Sequence, residues 1–421
     1  MRTLPTTTAP GHHNFRPGTV RAALSYPRFR IFFVANSLSN VGTWMQNFTL
    51  PAYIDHRTGS AALVGLLVFT QLGPLLLLSL PAGVLADRLD RRRFVASMQA
   101  VMMAASFAIA VLIIADAPLW TLFAAQFAVG VANALNAPAL SASLPMMVDR
   151  QDVPGAVSLN SAMLNGSRVA GPALAAMLAA IGVGTAQLFL VNSATYLFLI
   201  VPVLVLGLPS ARADHPERGW RRLTTGINIA RRRKVLARVL WSMTLFSLVC
   251  LPFIGLFPSV VRLNLGVEPT SATYKLLYAV WASGALIGSL AVGSWLAAFD
   301  KRRVVPYGFA AFGATLGAFA LMRSPGPAFF VCFLLGFAYF MTATCMITVI
   351  QQNVTDAERT PVMPLWFMSF GGTVPLGNLI AGPIIDRVGA RPVLMAGAVF
   401  AIFLAWWTDL TRLGPEAFLP E

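Results

Sequence analysis

Among the 421 residues, one basic side chain, Arg168, lies deep inside an apolar run. A guanidinium stays charged and presents five N–H donors in a fixed fork, so its chemistry is to hold an acceptor or an anion. An unpaired charge in hydrocarbon costs at least ~2.5 kcal/mol, so Arg168 is expected to face the interior with a partner. None of the sixteen acids stands near the centre of an apolar run, which leaves a backbone carbonyl, an amide such as Asn165, or an anionic ligand. Asn36, Asn40, Thr43 and Asn47 are spaced four, three and four and share one helical face. Gln126, Asn133 and Asn136 make a similar stripe. Such stripes either line a cavity or hydrogen-bond neighbouring helices at about 1 kcal/mol each. Tyr274, Tyr278 and Trp281 also share a face; Tyr274 is expected to anchor at a membrane interface, and Trp281 lies deep enough to touch an apolar ligand.

The elements that must position these groups follow from composition. Apolar residues make up 57% of the chain, charged residues only 11%, and mean hydropathy is +0.70. Runs of about 20 apolar residues, the length that crosses ~30 Å of hydrocarbon, recur along the chain. Windows near 30–54, 61–85, 94–114, 118–145, 156–181 and 186–209 precede a basic stretch, and six more lie near 237–262, 270–298, 304–322, 327–352, 361–385 and 392–411. The expected fold is an all-α membrane protein with twelve transmembrane helices in two pseudo-symmetric six-helix bundles. The expected organisation is a cytoplasmic tail (1–29), an N-terminal bundle (30–209), a cytoplasmic linker (210–235), a C-terminal bundle (236–411) and a second tail (412–421). With both termini cytoplasmic, 24 basic residues fall in cytoplasmic segments and six outside, the asymmetry of the positive-inside rule.

That rule accounts for the net charge of +15 and for Arg231-Arg232-Arg233-Lys234 without a nucleic-acid partner. The three cysteines lie inside apolar spans, where they read as structural thiols, and the first 28 residues lack the apolar core of a cleavable signal. The four histidines sit in tail or loops and no lysine ends a phosphate loop, so neither metal-dependent catalysis nor ATP-driven pumping is served. No catalytic residue, metal site or cofactor is expected.

The chain repeats itself. Gly83 to Arg93 (GVLADRLDRRR) aligns with Gly293 to Arg303 (GSWLAAFDKRR) at an offset of 210. Gly130 and Gly336, Asp152 and Glu358, and Gly171 and Gly377 align at 206. Parallel halves with binding at their interface are one way secondary transporters are built.

Gly83-Val-Leu-Ala-Asp-Arg-Leu-Asp-Arg-Arg resembles the signature loop of the major facilitator superfamily, with Asp90 in place of its second glycine. Gly42-Thr-Trp-Met-Gln46 and Arg168-Val-Ala-Gly171-Pro172-Ala-Leu resemble the branch that contains the enterobactin exporter and many actinobacterial drug-efflux proteins. The resemblance covers roughly residues 29–411. It implies a bacterial inner-membrane exporter of hydrophobic or amphipathic small molecules, drug-like or siderophore-like, working as a monomer by alternating access with protons as coupling ion. Uptake or facilitated diffusion on the same fold, and a non-transporting scaffold or sensor, are the alternatives.

By resemblance, Gly83, Asp87, Arg88, Arg91 and Arg92 form a conformational gate, with Asp87 latching the start of span eleven. The competing reading is that the basic residues only fix topology, which is the reading preferred for Arg93. Asn36, Asn40, Thr43, Asn47, Gln126, Asn133, Asn136, Arg168 and Trp281 are the expected cavity residues. Gly171-Pro172 matches part of the family's antiporter pattern or serves as a packing kink. Many relatives carry an aspartate where this chain has Thr43, so proton coupling is left with Asp55, Asp87 and Asp409 as candidates. Asp386-Arg387-Val-Gly389-Ala-Arg391 copies the signature pattern at the opposite edge, as a clamp or as a tight turn.

Overall fold

The computed structural model describes residues 15–208 and 220–412, without the side chains at 77, 79–88, 141–142, 145, 220–223, 356–357 and 360. It is helical throughout, with no strand among the described residues. The first half comprises α1 (Val20–Leu24), α2 (Pro27–Thr58), α3 (Ala61–Arg88), α4 (Arg91–Ile114), α5 (Leu119–Ser143), α6 (Val153–Ala180) and α7 (Thr185–Leu206). The second begins with α8 (Trp220–Arg232), α9 (Lys234–Val249), α10 (Pro252–Gly255) and α11 (Phe257–Leu265). It continues with α12 (Ala272–Gly293), α13 (Lys301–Leu321), α14 (Pro325–Gln352), α15 (Asp356–Phe367), α16 (Val374–Val388) and α17 (Ala390–Trp407).

Among the described residues, nine helical stretches are long and apolar enough to cross a membrane. The windows around α2, α3 and α6 are helical but fall outside that set. The asparagine stripe dilutes α2, Arg168 and its polar neighbours dilute α6, and α3 counts only over Ala61–Leu76. Two predicted spans are not single rods. The 237–262 window breaks into α9, α10 and α11, where Pro252 starts α10 and Pro258 stands in the first turn of α11. The 361–385 window is interrupted by a π turn at Met368–Gly372 between α15 and α16. The expected N-terminal tail is partly built in: the Gly18 N–H donates to Asp152 at 2.8 Å, and the Tyr26 hydroxyl shares its one proton between Asp152 (2.8 Å) and Asp149 (3.0 Å). Burial, then those two carboxylates, raises the Tyr26 phenol above its ordinary value.

The internal repeat has a structural counterpart. Asp90 accepts from the Arg93 N–H at the start of α4, and Asp300 accepts from the Arg302 N–H at the start of α13, each at 2.9 Å. Burial pushes the Asp300 carboxyl up, but the hydrogen bonds from Arg302 outweigh it and hold the group below its usual range. Gly130 lets α5 lie on the carbonyls of Thr70 and Gln71 in α3, and Gly336 lets α14 lie on the Trp281 carbonyl in α12, so the aligned glycines mark aligned helix crossings.

Between halves, α3 packs on α16 and α6 on α12. The largest apolar cluster crosses that boundary: Phe48, Ile54 and Val64 join Phe257, Tyr274 and Tyr278. A separate cluster of Phe29, Phe32, Phe94, Leu144 and Leu199 stays within the first half, at the arginine-rich end. The halves are thus sealed together at one end.

Candidate functional site: a cavity between the halves

The seal has a polar rim. Asp55, at 0% exposure, accepts from Arg262 Nε at 2.7 Å and Arg262 Nη2 at 3.1 Å, and also from the Ser259 hydroxyl. Arg262 reaches on to the Gly59 carbonyl at 2.8 Å, and His56 meets Glu268. Asp386 on α16 accepts from the backbone N–H of Ala61 (2.7 Å) and Ala62 (3.0 Å) and from the Ser60 hydroxyl (2.7 Å). Of the two readings of the Asp386 segment, the structure shows the clamp: a carboxylate from one half caps a helix of the other.

Beneath this rim lies a cavity of about 520 Å³, the size range of sites for drug-sized ligands. Its roof is aromatic, with Phe48 stacked on Tyr274 (centroids 4.8 Å apart) and tilted against Tyr278 (4.6 Å). Tyr274 is therefore not an interface anchor; it is 1% exposed and packs across the two halves. Trp281, Tyr339 and Phe370 continue the apolar wall. The floor extends to Leu144 and Asn160, towards the arginine-rich end.

Asn36, Asn40, Thr43, Asn47, Asn133, Asn136, Arg168 and Trp281 all line this cavity. Asn40 bonds Asn36 at 3.1 Å, and the Thr43 hydroxyl donates to the Ser39 carbonyl (2.9 Å) and lies within hydrogen-bond reach of the Tyr196 hydroxyl (3.3 Å). Gln126 does not join them. It is fully buried, accepting from Gln46 at 3.3 Å, in a network where Ser106 and Asn192 also donate to Gln46. The pattern Gly42 to Gln46 pointed to Gln46, but Ser106 on α4 and Asn192 on α7 lie outside the polar stripes read from the sequence.

Arg168 stacks its guanidinium over Trp44 (4.9 Å to the ring centroid) and Phe340 (5.1 Å). Asn165 is not its partner; that amide donates to the Ser161 carbonyl at 3.0 Å. Gly171 brings α6 against α2, where a Cβ would lie 2.7 Å from the Met45 nitrogen, and Pro172 follows it within a continuous helix. Of the expected gate, the side chains of Gly83, Asp87 and Arg88 lie outside the described residues. Arg91 is buried and donates to Met146 Sδ at 3.6 Å, and Arg92 donates to the Leu204 carbonyl, so both tie α4 into the first half. Asp409 is held by Thr411 and Arg412 away from the cavity.

The profile of the family described as transmembrane secretion effector matches residues 19–414. Macrolide efflux protein A of Streptococcus pyogenes is 22% identical over 390 residues, 90% of this chain and 94% of that protein. The staphyloferrin A transporter of Staphylococcus aureus is 23% identical over 368 residues, 86% and 90% of the two chains. The crystal structure of nucleoside transporter NupG superposes with a TM-score of 0.73 at 13% identity, covering 92% of this chain and 100% of that one, which shows the fold alone. Together with the signature loop, the duplicated helix crossings and the cavity between halves, these place the chain in the transmembrane secretion effector family of the major facilitator superfamily, a membrane transporter and not an enzyme.

Proposed function

We propose that the protein exports amphipathic small molecules across a bacterial inner membrane by alternating access. The observation that carries this reading is the cavity: aromatic on one wall, amide-lined on the other, roofed where the halves meet and reaching towards the arginine-rich end. Twelve spans in two six-helix bundles, 30–209 and 236–411, form the machine, with α8 in the linker between them. The positive-inside asymmetry assigns the arginine-rich end to the cytoplasm, together with both termini. The cavity then faces the compartment from which an exporter loads, and relatives named for macrolide efflux and staphyloferrin A transport support the direction.

Rocking the halves must break the Asp55–Arg262 pair and lift Asp386 from α3. Protons serve as coupling ion in this reading, with Asp55 the candidate acid whose bond to Arg262 joins the two halves. Asp87 retains its role as the opposing latch at the cytoplasmic edge. The functional unit is a monomer, since one chain encloses the cavity. The test is a deletion strain screened against a compound panel with and without a protonophore. Accumulation of some amphipathic compounds, reversed by the wild-type gene and abolished by the protonophore, is expected; increased uptake with the gene restored contradicts export.

A further inference from the structure

We propose that two N–H donors at the seam between α6 and α12, Arg168 Nε and Trp281 Nε1, form an oxyanion subsite, and that the exported substrates are amphipathic organic anions. This rests on the efflux reading and names its substrate class.

Both nitrogens are buried without a hydrogen-bond acceptor. Both side chains line one small void of about 10 Å³, walled also by Asn165 and Phe340, and both residues border the main cavity. That volume holds about one oxygen atom. One carboxylate or phenolate oxygen fits there, with the remainder of the ligand lying in the larger cavity against the aromatic wall.

The rings of Trp44 and Phe340 stabilise the guanidinium by their faces, but they offer no acceptor to its N–H groups. No acid pairs with Arg168 among the described residues, and it is the one charged residue in the described cavity lining. A lone positive charge between low-dielectric walls raises the local concentration of anions and repels cations. Arg168 belongs to the first half and Trp281 to the second, so an anion bonded to both is held by both moving parts. It is thereby positioned to bias their rocking.

The experiment is calorimetric titration of the full-length protein in detergent with three probes: salicylate, its neutral counterpart salicylamide, and the cation benzyltrimethylammonium. The expected order is salicylate about tenfold tighter than salicylamide, with the cation weakest, as a charge-assisted bond to a desolvated guanidinium requires. Arg168→Gln should weaken salicylate about tenfold and leave salicylamide unchanged, Trp281→Phe should weaken salicylate several-fold, and Arg168→Lys should recover part of the loss. A hundredfold excess of chloride, about 100 mM over millimolar probe, should not displace salicylate; displacement would make the site a halide site and overturn the proposal. Wild-type salicylate affinity in a folded Arg168→Gln protein overturns it as well. If that variant does not fold, unchanged salicylate binding in both Trp281→Phe and Arg168→Lys does so instead. Salicylate selectivity in a protein that exports nothing upholds the subsite and removes the efflux reading. Export of cations with Arg168→Gln unimpaired does the reverse.

Discussion

The Asp386 carboxylate sits over the first turn of α3 and accepts the Ala61 N–H at 2.7 Å across 325 residues of chain. The first N–H groups of a helix have no partner within it, so a carboxylate there satisfies donors and meets the positive end of the helix dipole. Donor and acceptor belong to opposite halves, so in the proposed cycle this cap is lost when that end opens.

Asp386→Ala should therefore favour the conformation open at that end. A lost cap is worth about 1 kcal/mol, roughly a fivefold change in the population ratio. Pulsed electron resonance distances between spin labels at Thr58 and Val388 check it: the long-distance population should rise in the variant, with little change in expression.

Asp55 and Arg262 supply a second bond that must break in the proposed cycle. Asp55 is fully buried while Arg262 is partly exposed, so the pair's coupling is expected at about 2 kcal/mol, below that of a wholly buried pair. A double-mutant cycle with Asp55→Asn and Arg262→Gln, read by thermal melting, should return a coupling of that size. If Asp55 carries the proton, Asp55→Asn should also leave residual transport insensitive to a protonophore.

Gly336→Val should be poorly tolerated, because its side chain would drive into the Trp281 carbonyl of α12. Overpacking of this kind costs about 1–3 kcal/mol and moves the backbone of Trp281 as well. Melting of the detergent-purified protein should fall by several degrees, with salicylate binding weakened in the fraction that folds.

Asn192→Leu separates the buried polar network from the cavity. It removes a donor to Gln46 that no ligand reaches, so melting should drop by about 1 kcal/mol equivalent while substrate preference stays as in wild type. Asn40→Leu, on the cavity wall, should show the opposite pattern: altered substrate preference with stability nearly retained.

What the sequence disclosed follows from the kind of signal each feature leaves. Arg168 was legible because a charge inside an apolar run has few satisfactory places, and Asn36 to Asn47 because their spacing repeats the helix. The same logic misplaced Gln126. A stripe gives the face of a helix but not its neighbours, and Gln126 lies a turn too far towards Gln46. Tyr274 read as an anchor from its position near a span end; its stacking on Phe48 joins residues 226 apart and has no local trace. The Asp386 segment showed its signature-like pattern, yet only the packing of α16 on α3 distinguishes clamp from turn. Pro252 and Pro258 were visible as helix breakers, but a hydropathy window averages over them and returned one span where the chain makes three helices.

The most direct test of the account is side-specific labelling of a single cysteine at Asn40, on the cavity wall, after replacing Cys250, Cys332 and Cys345 by serine or alanine. An impermeant maleimide should label inside-out vesicles rapidly and right-side-out vesicles slowly, and Asp386→Ala should speed the latter. Equal labelling from both sides, or fast labelling only from outside, would contradict a cavity that loads from the cytoplasm beneath a sealed outer rim.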